Sequence, residues 1–253
     1  MIEKNCISFW FPKLLELGIT VPDTKIIKAE FDLSLYSNGE YEGKLISKNE
    51  KEKVSKVANT IEEFEIAINN AASVVGYPLF LRSGVAAAKR KWKNTCFVKS
   101  QKDLMQHVFN IVNWSNSAAF FGMPCDVWAV RQYINMTTMF SAWDEVPINI
   151  EKRVFVKNGK VQCYHNYHAP FTLEGNCSDP AWKSKLYNNI FSAEVMEMAE
   201  RIARNFEGYW SIDFCLARSG FWHVIDMAQG KESFHWPGCP KSNLRKDTVF
   251  SSV

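Results

Sequence analysis

Asp213 and Asp226 fall within YWSIDFCLARSGFWHVIDMAQG, whose two arms are rich in Val, Ile, Trp and Phe and whose middle, Arg218-Ser219-Gly220, is polar and carries glycine. Apolar, β-branched and aromatic runs around such a middle predict a β-hairpin. A two-residue loop at Ser219-Gly220 would oppose Ala217 to Trp222, Cys215 to Val224 and Asp213 to Asp226. Like charges directly opposed destabilise a sheet, so this register asks for a shared proton or a bound cation. Mg²⁺ suits carboxylates acting together with phosphate oxygens. A three-residue turn would instead shift the register by one and send the two side chains to opposite faces, where each is a solvated or strand-end aspartate. The sequence admits both registers.

Positive charge is concentrated at Lys89 to Lys93, KRKWK, after a strand-like PLFLR that ends in Arg82. Read blandly, KRKWK is a solvated loop; read functionally, it is a cradle for phosphates. Arg131 lies in the alternating DVWAVRQYI, where its alternative is a structural ion pair. Glu151 to Val156, Asn158-Gly159 and Lys160 to His165 form the clearest hairpin pattern, because Asn-Gly suits a type I′ turn. Alternation puts Glu151, Arg153 and Phe155 on one face of that hairpin, with a Glu151–Arg153 ion pair as the structural reading of the arginine.

The elements that must position these residues follow from periodicity and punctuation. Ile7 to Leu17 has helical spacing and stops at Gly18, and Thr24 to Glu30 reads as a strand. Ser37-Asn38-Gly39 reads as a turn and Lys44 to Lys56 as a polar connection. Thr60 with Glu63 forms a capping-box pattern that opens a helix ending at Gly76. Strands at Pro78 to Arg82 and Thr95 to Val98 flank the basic loop, and a second helix spans Asp103 to Trp114. One long helical region is expected from Asp179-Pro180 to Phe206, and Gln229 to Pro240 reads as a folded lid or rim.

This ordered set, from about Thr60 to Gly230, resembles the ATP-grasp superfamily, and in particular its phage-type members. It is more distantly similar to the eukaryotic cell-division-cycle ATP-grasp proteins that assist assembly of a translation initiation factor. The resemblance implies an α+β fold of two lobes with mostly antiparallel sheets and ATP in the cleft between them. It implies a lead-in segment over 1–58, a small lobe over 59–135 and a large lobe over 136–253. Arg82 then takes the place of a phosphate-binding Lys, and Lys89 belongs to a flap that has Gly84 where many members have several glycines. The main chain at Gln132, Tyr133 and Ile134 would read adenine, Arg131 would point toward phosphate or acceptor, and Arg153 would stabilise the transferred phosphoryl group. Asp213 and Asp226 would hold Mg²⁺, with Ala228 where the family has a further Asn ligand. Lys231, Ser233 and His235 become acceptor-side candidates, although a lone loop histidine such as His235 is more often structural. Loops at Asn135 to Ile150 and Tyr164 to Asp179 would shape the acceptor pocket. The implied activity is an ATP-dependent carboxylate–amine ligase, with ATP, Mg²⁺ and small-molecule or peptide acceptors as partners; an ATP-binding assembly protein with little chemistry is the alternative.

Composition bounds the rest. With 253 residues and 47% hydrophobic content the chain has ample material for a core. A net charge of +3 does not by itself imply nucleic acid, for which KRKWK beside Trp residues is the one pointer. The start MIEKNCISFWFPK lacks a signal-peptide layout and no apolar run has spanning length, so a cytoplasmic protein is expected. Seven scattered cysteines without a C-x-x-C offer neither a disulfide framework nor a zinc pattern.

Overall fold

The computed structural model describes residues 3–30, 57–119, 126–143, 146–188, 192–237 and 239–242. The turn at Ser37-Asn38-Gly39, the polar stretch Lys44 to Lys56 and Cys125 lie outside the described residues. In chain order the elements are α1 (Ile7–Glu16), β1 (Thr24–Ala29), β2 (Val57–Ala58), α2 (Ile61–Val75), β3 (Leu79–Ser83), a 3₁₀ turn (Lys89–Asn94), β4 (Phe97–Val98) and α3 (Leu104–Ala119). There follow β5 (Val127–Gln132), β6 (Thr138–Ala142), β7 (Val146–Asn149), β8 (Glu151–Lys157), β9 (Lys160–Asn166), α4 (Pro170–Leu173), α5 (Trp182–Tyr187), α6 (Ala193–Asn205), β10 (Tyr209–Leu216) and β11 (Trp222–Gln229). The chain forms two compact units, one of residues 6–9 and 22–133, the other of residues 1–5, 10–21 and 134–253.

The first unit is built on a five-stranded sheet of order β2-β1-β5-β3-β4, in which β1 and β2 are parallel and the other pairs antiparallel. Period-2 alternation sorts its side chains. Ile27, Leu79, Leu81, Trp128 and Val130 join Phe64, Ile68, Val108 and Val112 of α2 and α3 in one core. Arg82 and Arg131 therefore belong to the other face of the sheet. Thr60 caps α2 as expected, its hydroxyl accepting from Glu63 N at 3.2 Å, while the Glu63 carboxylate accepts from Asn59 N at 2.7 Å rather than closing the box on Thr60. Strand β1, from the segment expected as a lead-in, lies between β2 and β5.

The second unit carries a four-stranded antiparallel sheet, β11-β10-β8-β9. Asn158 and Gly159 take φ of 51° and 78°, the left-handed pair that a type I′ turn requires between β8 and β9. Helix α6 turns Val195, Met198, Ala199 and Ile202 inward and is capped by Ser192, whose hydroxyl accepts from Val195 N at 3.4 Å. Two expectations are corrected here. The helical region after Asp179-Pro180 is not continuous: α5 ends at Tyr187 and α6 begins at Ala193. Residues 135–150 are not a plain loop but contain the β6–β7 hairpin, whose Phe140 and Ile148 pack with Trp182 and Leu186. Pro147 inside β7 and the lack of a glycine turn hide that hairpin from pattern reading. No helix among the described residues is long and apolar enough to cross a membrane.

Candidate active site

In the second unit the β10–β11 hairpin combines features of both registers read from the sequence. Its turn is the three-residue one: Ala217 N donates to Phe221 O at 3.0 Å, Gly220 N donates to Ala217 O at 2.9 Å, and Gly220 has φ of 89°. Leu216 therefore faces Trp222, and Cys215 faces His223 rather than Val224. A shift by one would normally separate the acids. Between Asp213 and Phe214 the register slips again, because Phe214 pairs with Val224 and Asp213 with Asp226, which leaves Ile225 as the extra residue of a β-bulge. The two irregularities cancel, and Asp213 faces Asp226.

The compensation for two opposed carboxylates is a third side chain that the hairpin pattern does not contain. Arg153 is the β8 partner of Asp213, and its guanidinium grips both carboxylate oxygens, Nε to Oδ1 at 2.7 Å and Nη2 to Oδ2 at 2.8 Å. This bidentate pair replaces the Glu151–Arg153 pair expected as the structural reading. Burial works against the arginine's charge, but the Asp213 carboxylate outweighs it and keeps the guanidinium protonated. Arg153 Nη1 also donates to Phe234 O at 3.3 Å, and its Cζ lies 4.6 Å from the Tyr167 ring centroid. On the far side of Arg153 the β9 partner is His165. One row thus crosses the sheet as His165, Arg153, Asp213 and Asp226.

The residues around the two acids supply oxygen donors. Each Asp213 oxygen accepts one Arg153 N–H and keeps lone-pair capacity, and Asp226 Oδ1 accepts from Met227 N at 3.0 Å. Two cross-strand carboxylates of this kind fit a hard divalent cation such as Mg²⁺. Ala228 faces Ser211, whose hydroxyl accepts or donates a hydrogen bond with the Ser233 hydroxyl. Asn5, which sequence reasoning missed, accepts from Gln229 N at 2.6 Å through Oδ1 and donates to the Glu232 carboxylate. Its distance in sequence from the hairpin hid it. Lys231 is exposed, whereas His235 is 5% exposed and stacks on Phe155 with ring centroids 4.1 Å apart.

Next to Arg153 in the chain but on the other sheet face, Lys152 is 2% exposed and donates to Asn166 Oδ1. Burial pushes its ammonium down to about 8. His165 is held down at about 4, first by burial and then by His235 and Arg153 nearby. The Cys163 thiol is pushed up to about 12 by burial, with Cys239 adding to the shift.

In the first unit Arg82 is 2% and Arg131 3% exposed. Arg82 pairs in register with Ala129 and Arg131 with Phe80, so the two arginines are diagonal neighbours on one face of β3 and β5. Arg82 Nε donates to Ser83 O at 3.0 Å and Arg131 Nε to Thr24 Oγ1 at 3.1 Å. Lys89 is exposed at the start of the 3₁₀ turn, and half-buried Trp92 packs on Phe97, which in turn meets Tyr133 edge-on at 4.7 Å. Gly84 continues the ladder rather than forming a glycine flap: its N–H donates to Val127 O at 2.6 Å, and a Cβ there would come within 2.8 Å of Val127 Cβ. Gln132 N donates to Asp23 O at 2.7 Å. Ile134 belongs to the second unit, in a small cluster with Cys215 and Ala217.

A family model described as an ATP-grasp domain, the third family of its clade, matches residues 71–246. The chain belongs to the ATP-grasp superfamily, in this clade. Among solved structures, C-terminally truncated Cdc123 from Schizosaccharomyces pombe aligns with a TM-score of 0.53 at 13% identity, over 90% of this chain and 86% of that one. A RimK domain protein ATP-grasp from Sphaerobacter thermophilus gives 0.46 at 16% identity over 89% and 58%. D-alanine–D-alanine ligase from Bacillus anthracis, complexed with ATP, gives 0.42 at 14% over 89% and 54%. This ATP-grasp chain thus spans little more than half of these two bacterial proteins. A search of curated proteins found no match. The likeness to Cdc123 is one of fold, and it agrees with the α+β, mostly antiparallel architecture expected from the sequence.

Proposed function

We propose that this ATP-grasp chain is an ATP- and Mg²⁺-dependent ligase that activates a carboxylate as an acyl phosphate for attack by an amine. One observation carries the reading: Arg153, Asp213 and Asp226 occupy a single cross-strand row of β8, β10 and β11. Asp213 and Asp226 would hold Mg²⁺, which when bound supplies positive charge to phosphate oxygens. Arg153 is fixed by Asp213 and Phe234 O and cannot lose its proton, so it offers a pre-oriented charge to the phosphoryl group in transfer. Arg82, Arg131 and Lys89 bind the nucleotide phosphates in this reading, and the main chain of 132–134 reads the base. The substrate carboxylate oxygen bonds the γ-phosphorus as ADP leaves. The amine nitrogen then bonds the acyl carbon as phosphate leaves, and the nitrogen gives up a proton. The small lobe proposed for residues 59–135 includes β1 of the lead-in segment in its sheet, and the large lobe, 136–253, carries the acids.

The test is calorimetry of ATP binding with and without Mg²⁺. Asp226→Asn should lose the Mg²⁺-dependent part of the affinity, and an affinity equal to that of the unaltered chain would remove the metal assignment. A second reading, an ATP-binding assembly protein with little chemistry, is favoured by Ala228 where the family has Asn. Incubation with ATP and cell extract distinguishes the two: the ligase releases ADP and phosphate together with a product heavier than its acceptor, whereas the assembly protein binds nucleotide and makes none.

A further inference from the structure

Cys163 and His165 alternate along β9, so they share the face that also presents their partners Phe155 and Arg153 on β8. His235 and Cys239, with three residues between them, lie in the segment that follows β11. The segment leaves the sheet at Gly230, whose N–H donates to Tyr209 O at 2.8 Å, and folds back so that both of its residues reach β9. One ligand atom from each of Cys163, His165, His235 and Cys239 lies within 4.8 Å of every other. Around a tetrahedral zinc ion with Zn–S near 2.3 Å and Zn–N near 2.0–2.1 Å, ligand atoms stand about 3.3–3.8 Å apart. Small side-chain movements would close the gap.

Three further observations point to a ligand at this cluster. Cys163 Sγ already approaches His235 Nε2 at 3.1 Å. His165 Nε2 is buried and has no hydrogen-bond partner among the described residues, a costly position for an imidazole nitrogen unless something is bound. The rings are held in place from outside the cluster: Phe155 stacks on His235 at 4.1 Å and Trp236 on His165 at 5.1 Å. Two thiols and two imidazoles form a soft, nitrogen-and-sulfur donor set, which selects zinc over magnesium or calcium.

We propose that Cys163, His165, His235 and Cys239 bind a structural Zn²⁺ that fastens the segment after β11 to strand β9. Four protein ligands leave no open position, so the ion holds structure instead of activating water. What it holds is close to Arg153, because Phe234, next to His235, accepts a hydrogen bond from that guanidinium through its carbonyl oxygen. The proposal is independent of the ligase reading, since it uses none of the acids and no nucleotide.

The experiment is metal analysis of the full chain purified under reducing conditions, followed by chelation and by reconstitution with Zn²⁺ or Co²⁺ alone. The expected result is about one zinc per chain, a melting temperature lowered by chelator and restored by Zn²⁺, and a Co²⁺ form with the intense visible bands of a tetrahedral thiolate site. Cys239→Ala should lose the zinc and its response to chelator, while Cys239→His retains both. Asp226→Asn should keep the zinc, which separates this site from the proposed Mg²⁺ site. The proposal is overturned if the reduced chain neither carries nor takes up zinc, if Cys163 and Cys239 prove to be joined as a disulfide in the purified protein, or if Co²⁺ gives the weak bands of oxygen ligation. Because chelation and cobalt spectra use the unaltered chain, the result stands even if Cys239→Ala does not fold.

Discussion

His165 and Asp226 stand at opposite ends of one residue row across β9, β8, β10 and β11, and their surroundings differ in every respect that governs ion binding. The Asp end is all oxygen, built from one hairpin and held by a guanidinium. The His end is sulfur and nitrogen, shared between a strand and a distant return segment, and walled by aromatic rings. A hard ion that exchanges with its nucleotide suits the first; a soft ion that stays suits the second. Arg153 lies between them and contacts both sides, Asp213 directly and the return segment through Phe234 O. One sheet thus separates the proposed working end from the proposed fastened end.

The sharpest way to break this contrast is to remove Asp213. Its side chain is 7% and that of Arg153 15% exposed, so Asp213→Ala leaves a nearly buried guanidinium without its carboxylate and should cost about 3–5 kcal/mol in urea unfolding. Arg153→Ala should lower turnover by about 10²–10³-fold while sparing nucleotide affinity, as for loss of one preorganised donor; single-turnover and binding measurements on the same variant would show whether the two separate. Gly230→Ala addresses the fastened end. A Cβ there would fall 2.6 Å from Tyr209 Cε1, so the ring or the return segment must move, at about 1–3 kcal/mol in thermal or urea unfolding. An unchanged stability would mean that the segment does not rest on Tyr209.

Lys152 offers a smaller test, from the other face of β8. Its folded value of about 8 lies below the ordinary 10.5, so the unfolded chain binds more protons between those values. The cost of burying Lys152 is therefore present below pH 8 and is relieved as the pH climbs through that window, and stability should rise across it. Urea melts at both ends of the window check the sign, and Lys152→Met should flatten the rise. Smallest of all, Asp226→Asn should change stability by about 1 kcal/mol or less, because the bidentate grip on Arg153 belongs to Asp213 and survives the change.

What the sequence made legible was local chemistry at short range. The Asn158-Gly159 turn, the Thr60 cap, the class of fold and the shared face of Arg153 and Phe155 follow from rules that span a few residues. The facing of Asp213 and Asp226 was one of two registers the sequence admitted, because apolar alternation neither chooses between a two- and a three-residue turn nor shows a bulge; the hairpin has the three-residue turn, and the bulge undoes its shift. Arg153 as the partner of Asp213 required knowing which strand lies beside β10, a nonlocal fact. The Cys and His cluster was missed because its halves, a Cys-x-His and a His-x-x-x-Cys, lie far apart in the chain and neither contains the C-x-x-C by which a zinc site is usually read. A Cys-x-His on an alternating strand, paired with a later His and Cys in an otherwise loop-like tail, was the signal available.

The bulge at Ile225 also carries a rule for redesign. A two-residue turn would oppose the acids in a regular ribbon, and a three-residue turn opposes them only with a spacer in the returning arm. Asp213 stands three residues before Leu216 and Asp226 four after Trp222, so a chain engineered without Ile225 should keep its two aspartates paired in a regular ribbon, whereas a ladder that ran on regularly with Ile225 in place would set Asp213 opposite Ile225 instead.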